Sequence, residues 1–480
     1  MSAAAIVGAS SGSSSSSTAT AVRRTVGSRI VATGCTGGIG LHFIRQLLLS
    51  PPNPHLPPPY HILLLARKPN APHIVRARQE LEAMSASSGD GGKGGTGETF
   101  VEVREMDLAL LRSVRRGAKS LLSDLSHRKA DLSSSSSSGS GSGSGSSTST
   151  TASASAGAGA SARAFERIAP GRIDVLLLNA AVAKAKREFV VDEDAITATA
   201  GERQKGDKLS DAEGRYEESA CVNHVSQQLL VALLAPALLG SRSSSADAQQ
   251  TQGESVSPVP RIVFTSSALH RQIKDVKHLD AFFNPGPTTA SSSDPSSDSS
   301  APPPAWSLMG SYGASKFLQM LGVQRLLKEL QSLPLPRGFT SAQIDSSSSS
   351  SSSSPRIEVI AVQPGFIPST GLSRETSPLA RIATLWILPF LAPLVSFIAT
   401  PEEGGEMLLR ACTRPVDEIS AGVRKTLLVR GRAREGGQRA ERQRPDVRSE
   451  DEGLMEEWWP DVVRREWERQ VTMMKGQGEE

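Results

Sequence analysis

Apolar positions along the chain fall into two alternating kinds of run. Residues 29–32 form a short β-like stretch, and 61–66 (HILLLA) are apolar on both faces, as a buried parallel strand requires. Residues 100–106, 173–178 (IDVLLL), 261–265 and 357–362 read as further strands. Between them the apolar residues take a helical period over 41–49, 73–84, 108–125, 221–239 and 311–331. Strand followed by helix, repeated in this way, predicts an α/β chain with a doubly wound parallel sheet.

Composition changes the domain count. A chain of 480 residues suggests two or three domains. Much of its length, however, is Ser, Gly and Pro, concentrated near 132–163, 242–258, 285–305 and 346–354. Such tracts cannot bury enough apolar surface to offset their ordering entropy, so they read as disordered insertions. Roughly 300 residues remain, the upper size of one hydrophobic core. The expectation is a single Rossmann-type domain over 29–428, after a disordered tail (1–28) and before a charged extension (429–480) with a helix. The tail is rich in Ala and Ser, with Arg23 and Arg24 and no acid, so a transit peptide is its alternative reading.

Charge and cysteine usage narrow the function classes. A formal net charge of +4 and an aromatic content of 4% argue against a nucleic-acid partner. The basic stretch 430–444 is interspersed with Glu and Gly and reads as solvated surface, with a polyanion or lipid-headgroup site as the alternative. Cys35, Cys221 and Cys412 are widely spaced, with no CxxC, so neither a disulfide framework nor a metal site is expected. A reducing, intracellular compartment follows, cytoplasmic or membrane-associated, the endoplasmic reticulum included.

Three features carry chemistry. Gly34, Gly38 and Gly40 lie after a strand and before a helix, where glycines permit a tight turn and let a pyrophosphate approach the helix N-terminus. Tight packing is the alternative reading of such a loop. The second strand runs into Arg67 and Lys68, where NAD-binding folds often place an acid against the ribose hydroxyls. Cations there favour a 2′-phosphate, hence NADP(H) over NAD(H), an ordinary basic loop being the alternative. Tyr312-Gly-Ala-Ser-Lys316 puts a phenol and an amine four residues apart, on one helix face. An ammonium beside a phenol favours phenolate and brings its acid/base chemistry toward neutral pH. Of the three tyrosines, Tyr60 and Tyr216 lack such a lysine.

These motifs, in this order from about Arg29 to Arg410, resemble the short-chain dehydrogenase/reductase superfamily. Thr33–Gly40 is similar to its TGxxxGxG loop, Asp107 to its adenine-contacting Asp, and Asn179-Ala180-Ala181 to its Asn-Ala-Gly strand end. Asn223 stands where the family has a helix Asn holding a relay water, Ser267 where it has the carbonyl-binding Ser, and Pro364-Gly365 beside nicotinamide. The resemblance implies hydride transfer between nicotinamide C4 and a substrate carbon. Tyr312 would be the proton donor or acceptor, Lys316 its tuner and ribose ligand, Ser267 the substrate-orienting hydroxyl and Asn223 the relay. It implies a cofactor site of Thr33, Gly34, Gly38, Ile39, Gly40, Arg67, Asp107, Asn179, Lys316, Pro364, Gly365 and Ile367. The long segment between Ser267 and Tyr312 must loop out for both to share a site.

Within the superfamily, MDLALLRSV (106–114), VLLLNAAV (175–182), VNHVSQQLL (222–230) and PGFIPSTGLSRE (364–375) resemble the retinol dehydrogenase and protochlorophyllide reductase-like branch. Cysteines expected for light-driven reduction are missing, so photochemistry is not implied. The 3-keto-steroid reductases are the second match, through Asn-Ala-Ala, VQPG and the apolar segment beyond it. That segment, 382–400, is borderline in length for a bilayer span and is broken by Pro389 and Pro393. It reads as a lid or core element, an interfacial membrane contact or a span, and an apolar lid suits a lipophilic carbonyl or alcohol. Homo-oligomers are common in the family. Trp458, Trp459 and Trp467 predict a short amphipathic helix packed on the domain, with a partner's surface as the alternative. A nonenzymatic NADP(H)-sensing or scaffold protein is the alternative of another class. Loss of Tyr312, Lys316 or Ser267 would favour it, and all three are present.

Overall fold

A computed structural model of the chain describes residues 27–87, 99–134, 171–192, 215–239, 259–273, 275–276, 278–283, 306–332, 357–368, 398–414, 427–430, 440–443 and 447–476. The strands are β1 (Ser28–Thr33), β2 (Tyr60–Ala66), β3 (Phe100–Glu105), β4 (Val175–Leu178), β5 (Phe189–Val191), β6 (Arg215–Glu217), β7 (Arg261–Thr265), β8 (Glu358–Gln363), β9 (Leu427–Arg430) and β10 (Ala440–Gln443). The helices are α1 (Gly38–Leu49), α2 (Pro72–Ser87), α3 (Leu111–Ser134), α4 (Glu218–Leu239), α5 (His278–Phe283), α6 (Leu308–Ser332), α7 (Pro401–Thr413), α8 (Glu452–Glu457) and α9 (Asp461–Gly476).

Eight strands form one sheet in the order β10-β9-β8-β7-β4-β1-β2-β3, with β5 and β6 as a separate antiparallel pair. Every neighbouring pair in the large sheet is parallel except β9 and β10. The chain builds outward from β1 to β3 and then restarts on the other side at β4. The resulting switch point between β1 and β4 opens a crevice at the carboxyl edge, where doubly wound sheets bind ligands.

Side-chain alternation explains why the central strands are apolar on both faces. Ile30, Ala32, Ile62, Leu64, Leu177, Val263 and Ile360 share one buried cluster with α1 and α7. Their neighbours Val31, Leu63, Leu65, Leu176, Leu178, Ile262 and Phe264 share the other with α3, α4 and α6. By length and composition α4 could cross a membrane, but it lies buried inside the fold as the central helix of the second face. Cys35, Cys221 and Cys412 are free and buried.

The C-terminal part departs from expectation. The boundary expected at 428/429 falls inside β9, which pairs in parallel with β8, and β10 then closes the sheet as an antiparallel edge. Part of the basic stretch 430–444 is therefore strand. α9 packs on α4 and α8 on α6, and Trp458, Trp459 and Trp467 are buried with them. β5 and β6 were not predicted either, and α3 extends to Ser134, past the expected start of the first low-complexity tract at 132. Four residues such as AERQ carry no apolar alternation, so an edge strand of that composition leaves no periodic signal. The tracts 242–258, 285–305 and 346–354, and residues 382–397 of the apolar segment, lie outside the described residues.

Candidate active site

Most of the proposed site residues follow the carboxyl ends of parallel strands. β1 runs into Gly34, β2 into Arg67, β3 into Asp107, β4 into Asn179, β7 into Ser267 and β8 into Pro364. The edge that the topology makes a crevice thus collects residues spread over more than three hundred positions of sequence.

The glycine loop contains glycines of two sorts. Gly34 has φ 66°, and a Cβ on it would sit 2.6 Å from the backbone of Ala180. A Cβ on Gly40 would sit 2.7 Å from Asn179 Nδ2 and from Cys35. These two glycines are demanded by packing. Gly37 and Gly38 face open space, with nothing within 4 Å of an added Cβ. Gly37 is also the N-cap of α1, with no side-chain cap and no acid in the first turn. Uncapped amides at a positive helix end, fronted by open space, fit the pyrophosphate of a dinucleotide.

Asn179 braces this loop from below. Its amide Nδ2 donates to the Gly34 carbonyl at 2.7 Å, and its Oδ1 accepts from Thr265 Oγ1 at 2.9 Å. The main-chain N–H groups of Asn179 and Ala180 both donate to Thr33 Oγ1, at 3.1 and 3.2 Å. β1, β4 and β7 are thereby locked in register where the crevice opens. At the far side, Arg67 is exposed just past β2. Asp107 shapes the turn into α3: its Oδ1 accepts from Ala109 N–H, and its own N–H donates to Ser113 Oγ, both at 3.0 Å.

At the other end, the hydroxyl of Ser267 lies close enough to the phenol of Tyr312 to favour its ionised form. Ser267 caps the 3₁₀ turn Ala268–Gln272 that follows β7. Gly313 lets α6 press onto that turn, since a Cβ there would lie 3.1 Å from the Leu269 carbonyl. The long segment between Ser267 and Tyr312 therefore does not keep them apart. Lys316 is 1% exposed, and its Nζ lies 5.7 Å from the centre of the Tyr312 ring. It donates to the Thr265 carbonyl at 2.7 Å and to Gln319 Oε1 at 3.3 Å. Asn223 sits in a π turn, Cys221–Val225, within α4. Its Oδ1 accepts from Val182 N–H and its Nδ2 donates to Val182 O, both at 2.8 Å, while Nδ2 also donates to Ser315 Oγ at 2.9 Å.

Burial governs the protonation of this pair. It raises the Tyr312 phenol well above its ordinary range, and the nearby Ser267 hydroxyl only partly opposes it. Burial also pushes Lys316 down to about 7. The expected stabilisation of phenolate by a neighbouring ammonium meets an opposing effect, since burial disfavours the charged form of both groups.

Beyond β8, Pro364 leads to Gly365 at φ 97°, and Phe366 O accepts from Ala399 N–H at 2.8 Å. Ile367 and Ile39 flank Gly404 of α7, where a Cβ would meet their side chains at 2.6 and 2.7 Å. Both isoleucines are thus held by α7 at the rim of the glycine loop. Sequence reasoning missed Thr265, Ser315, Gln227 and Gln319, whose signal is a polar residue on an otherwise apolar strand or helix face. Among the described residues, no group of three or more His, Cys, Asp or Glu side chains could hold a metal ion.

No family model matches the chain, and no curated protein does. Solved structures do. An uncharacterized protein from Mycobacterium Paratuberculosis is 15% identical, with 92% of this chain and 95% of that one covered and a TM-score of 0.43. NADPH-bound carbonyl reductase from chicken fatty liver is 13% identical, covering 81% and 88%, with a TM-score of 0.38. An alcohol dehydrogenase from the archaeon Thermococcus sibiricus, complexed with 5-hydroxy-NADP, is 14% identical, covering 87% and 99%, with a TM-score of 0.39.

Proposed function

We propose that the chain is an NADP(H)-dependent oxidoreductase of the short-chain dehydrogenase/reductase type, interconverting a carbonyl and an alcohol. The observation that carries this reading is the meeting of Ser267 with the buried Tyr312, backed by the buried Lys316, at the same sheet edge as an uncapped glycine cradle. When bound, the nicotinamide exchanges a hydride with the substrate carbon. The chain's own residues manage the oxygen. Tyr312 Oη holds the proton that passes to the carbonyl oxygen, and a phenol kept protonated by burial suits the reductive direction. Ser267 Oγ, fixed at the head of its 3₁₀ turn, orients that oxygen. Lys316, charged or neutral near neutral pH, adjusts the ease with which Tyr312 gives up its proton. Asn223 ties the loop after β4 to α6 and keeps the two halves of the site in register. Arg67 is the cation for a 2′-phosphate, which favours NADP(H).

The substrate class that fits is a lipophilic carbonyl, a retinoid or a related compound. Met309, one turn ahead of Tyr312, and Phe366, next to Gly365, leave apolar side chains exposed beside two of the site residues in sequence. A 3-keto sterol is the second candidate, on the strength of the Asn-Ala-Ala and VQPG motifs. The experiment is NADPH consumption with retinal, steroid ketones and small aldehydes, for the wild type and Tyr312→Phe. A substrate-dependent signal that falls by about 10²- to 10⁴-fold in the variant is expected. Cofactor binding without turnover on any of them, or turnover untouched by the substitution, overturns the reading in favour of a dinucleotide sensor. Activity confined to 3-keto sterols moves the chain to the second branch.

A further inference from the structure

Behind Lys316 the core contains a run of side-chain amides that the chemistry above does not use. Gln227 Nε2 donates to the Ala180 carbonyl at 2.7 Å, Gln319 Nε2 donates to Gln227 Oε1 at 2.7 Å, and Gln319 Oε1 faces Lys316 Nζ at 3.3 Å. Gln227 and Gln319 are both 0% exposed. A main-chain carbonyl can only accept, so Ala180 sets the orientation of Gln227, which in turn sets that of Gln319. The end of the run at Lys316 is therefore an acceptor. Its other end is the turn whose backbone lies against Gly34.

We propose that Gln227 and Gln319 are positioning residues, a polarised amide relay that holds the Lys316 amine and ties it to the Asn179–Ala180 turn beneath the glycine loop. The relay rests on the proposed oxidoreductase reading for its purpose, but not for its physics. Two buried glutamines in helices facing each other would otherwise be costly, and here the donor of one amide meets the acceptor of the next. The groups facing Lys316 are few. Its own helix supplies the Tyr312 ring and Gln319, β7 supplies the Thr265 carbonyl, and α4 supplies the neutral Gln227 through Gln319. An acceptor at Gln319 favours the protonated amine against the pull of burial.

The test is the titration of Lys316 in the cofactor-free, full-length protein, followed by NMR of ¹³Cε-labelled lysine and assigned with Lys316→Met. Gln319→Met, which keeps shape and removes the acceptor, should lower the Lys316 midpoint by about one pH unit. Gln319→Glu, which strengthens the acceptor, should raise it. Gln227→Met should lower it by less, because the loss is one link removed. Unchanged midpoints in both Gln319 variants, or movement of both in the same direction, overturn the relay. If Gln319→Met does not fold, the signs of Gln319→Glu and Gln227→Met decide. The titration needs no substrate. An absence of turnover would therefore sink the oxidoreductase reading while leaving the relay standing, and the reverse holds too.

Discussion

At the end of β1 the candidate site is made of backbone and empty space, whereas at α6 it is made of side chains already bonded to one another. Gly37 and Gly38 leave a gap in front of uncapped helix amides, so that end has bonds still to make. Lys316, Ser267 and Asn223 each have hydrogen-bond partners inside the fold. The difference teaches how each half answers a mutation. The proposed role of the loop is to take up a dinucleotide, so changes there should read out in binding. The polar cluster is internally satisfied and dry, so changes there read out in protonation and stability.

The largest way to break the comparison is Lys316→Met. Burial holds Lys316 at about 7, below the ordinary lysine range, so above that pH the unfolded chain binds a proton that the folded chain has released. Stability from this group therefore rises with pH, and the penalty for a charged, buried Lys316 is full below about 7. The variant should be the more stable protein on the acid side, by several kcal/mol, with its advantage shrinking between about 7 and ~10.4. Urea denaturation of both proteins across that range checks it. A difference that does not vary with pH would mean that Lys316 is solvated like any surface lysine.

Gly34→Ala comes next. With φ 66° and the Ala180 backbone 2.6 Å from the new Cβ, it should cost roughly 1–3 kcal/mol of stability, read from the denaturation midpoint. Arg67→Ala should weaken NADPH binding about tenfold and leave NADH binding unchanged in a fluorescence titration, since only one of the two carries the 2′-phosphate. The smallest effect sharpens the contrast most. Gly37→Ala adds a methyl group at an extended residue (φ −174°) with nothing nearby, so stability should stay within about 0.5 kcal/mol. NADPH binding should nevertheless weaken, because the methyl intrudes where the pyrophosphate would lie. Unchanged binding would remove the helix end from the cofactor site.

Legibility in the sequence followed locality. The strands from β1 to β4, and β7 and β8, are short apolar runs whose period can be read within a few residues, and their α-helical crossovers are as plain. β9 and β10 are read poorly because an edge pair needs a neighbour, not a pattern, and the AERQ strand is ordered by the sheet it joins. The pair Tyr312 and Lys316 is legible because a helix puts residues four apart on one face. Their protonation is not, because it depends on solvent exclusion by β7, α4 and the turn after Ser267.

The alternation of strand and helix, the glycine turn and the short list of residues able to do acid/base work could be read from the chain alone. All of these depend on neighbours within one turn or one strand. The packing of distant segments was needed to bring Ser267 beside Tyr312, to require glycine at Gly34 by laying Ala180 against it, and to set Gln319 Oε1 against Lys316 with Gln227 behind it. It also decided that burial raises the Tyr312 phenol and lowers the Lys316 amine. The physical reason is common to all four. Close approach and desolvation are properties of what surrounds a residue, and the surroundings here come from segments far apart in the chain.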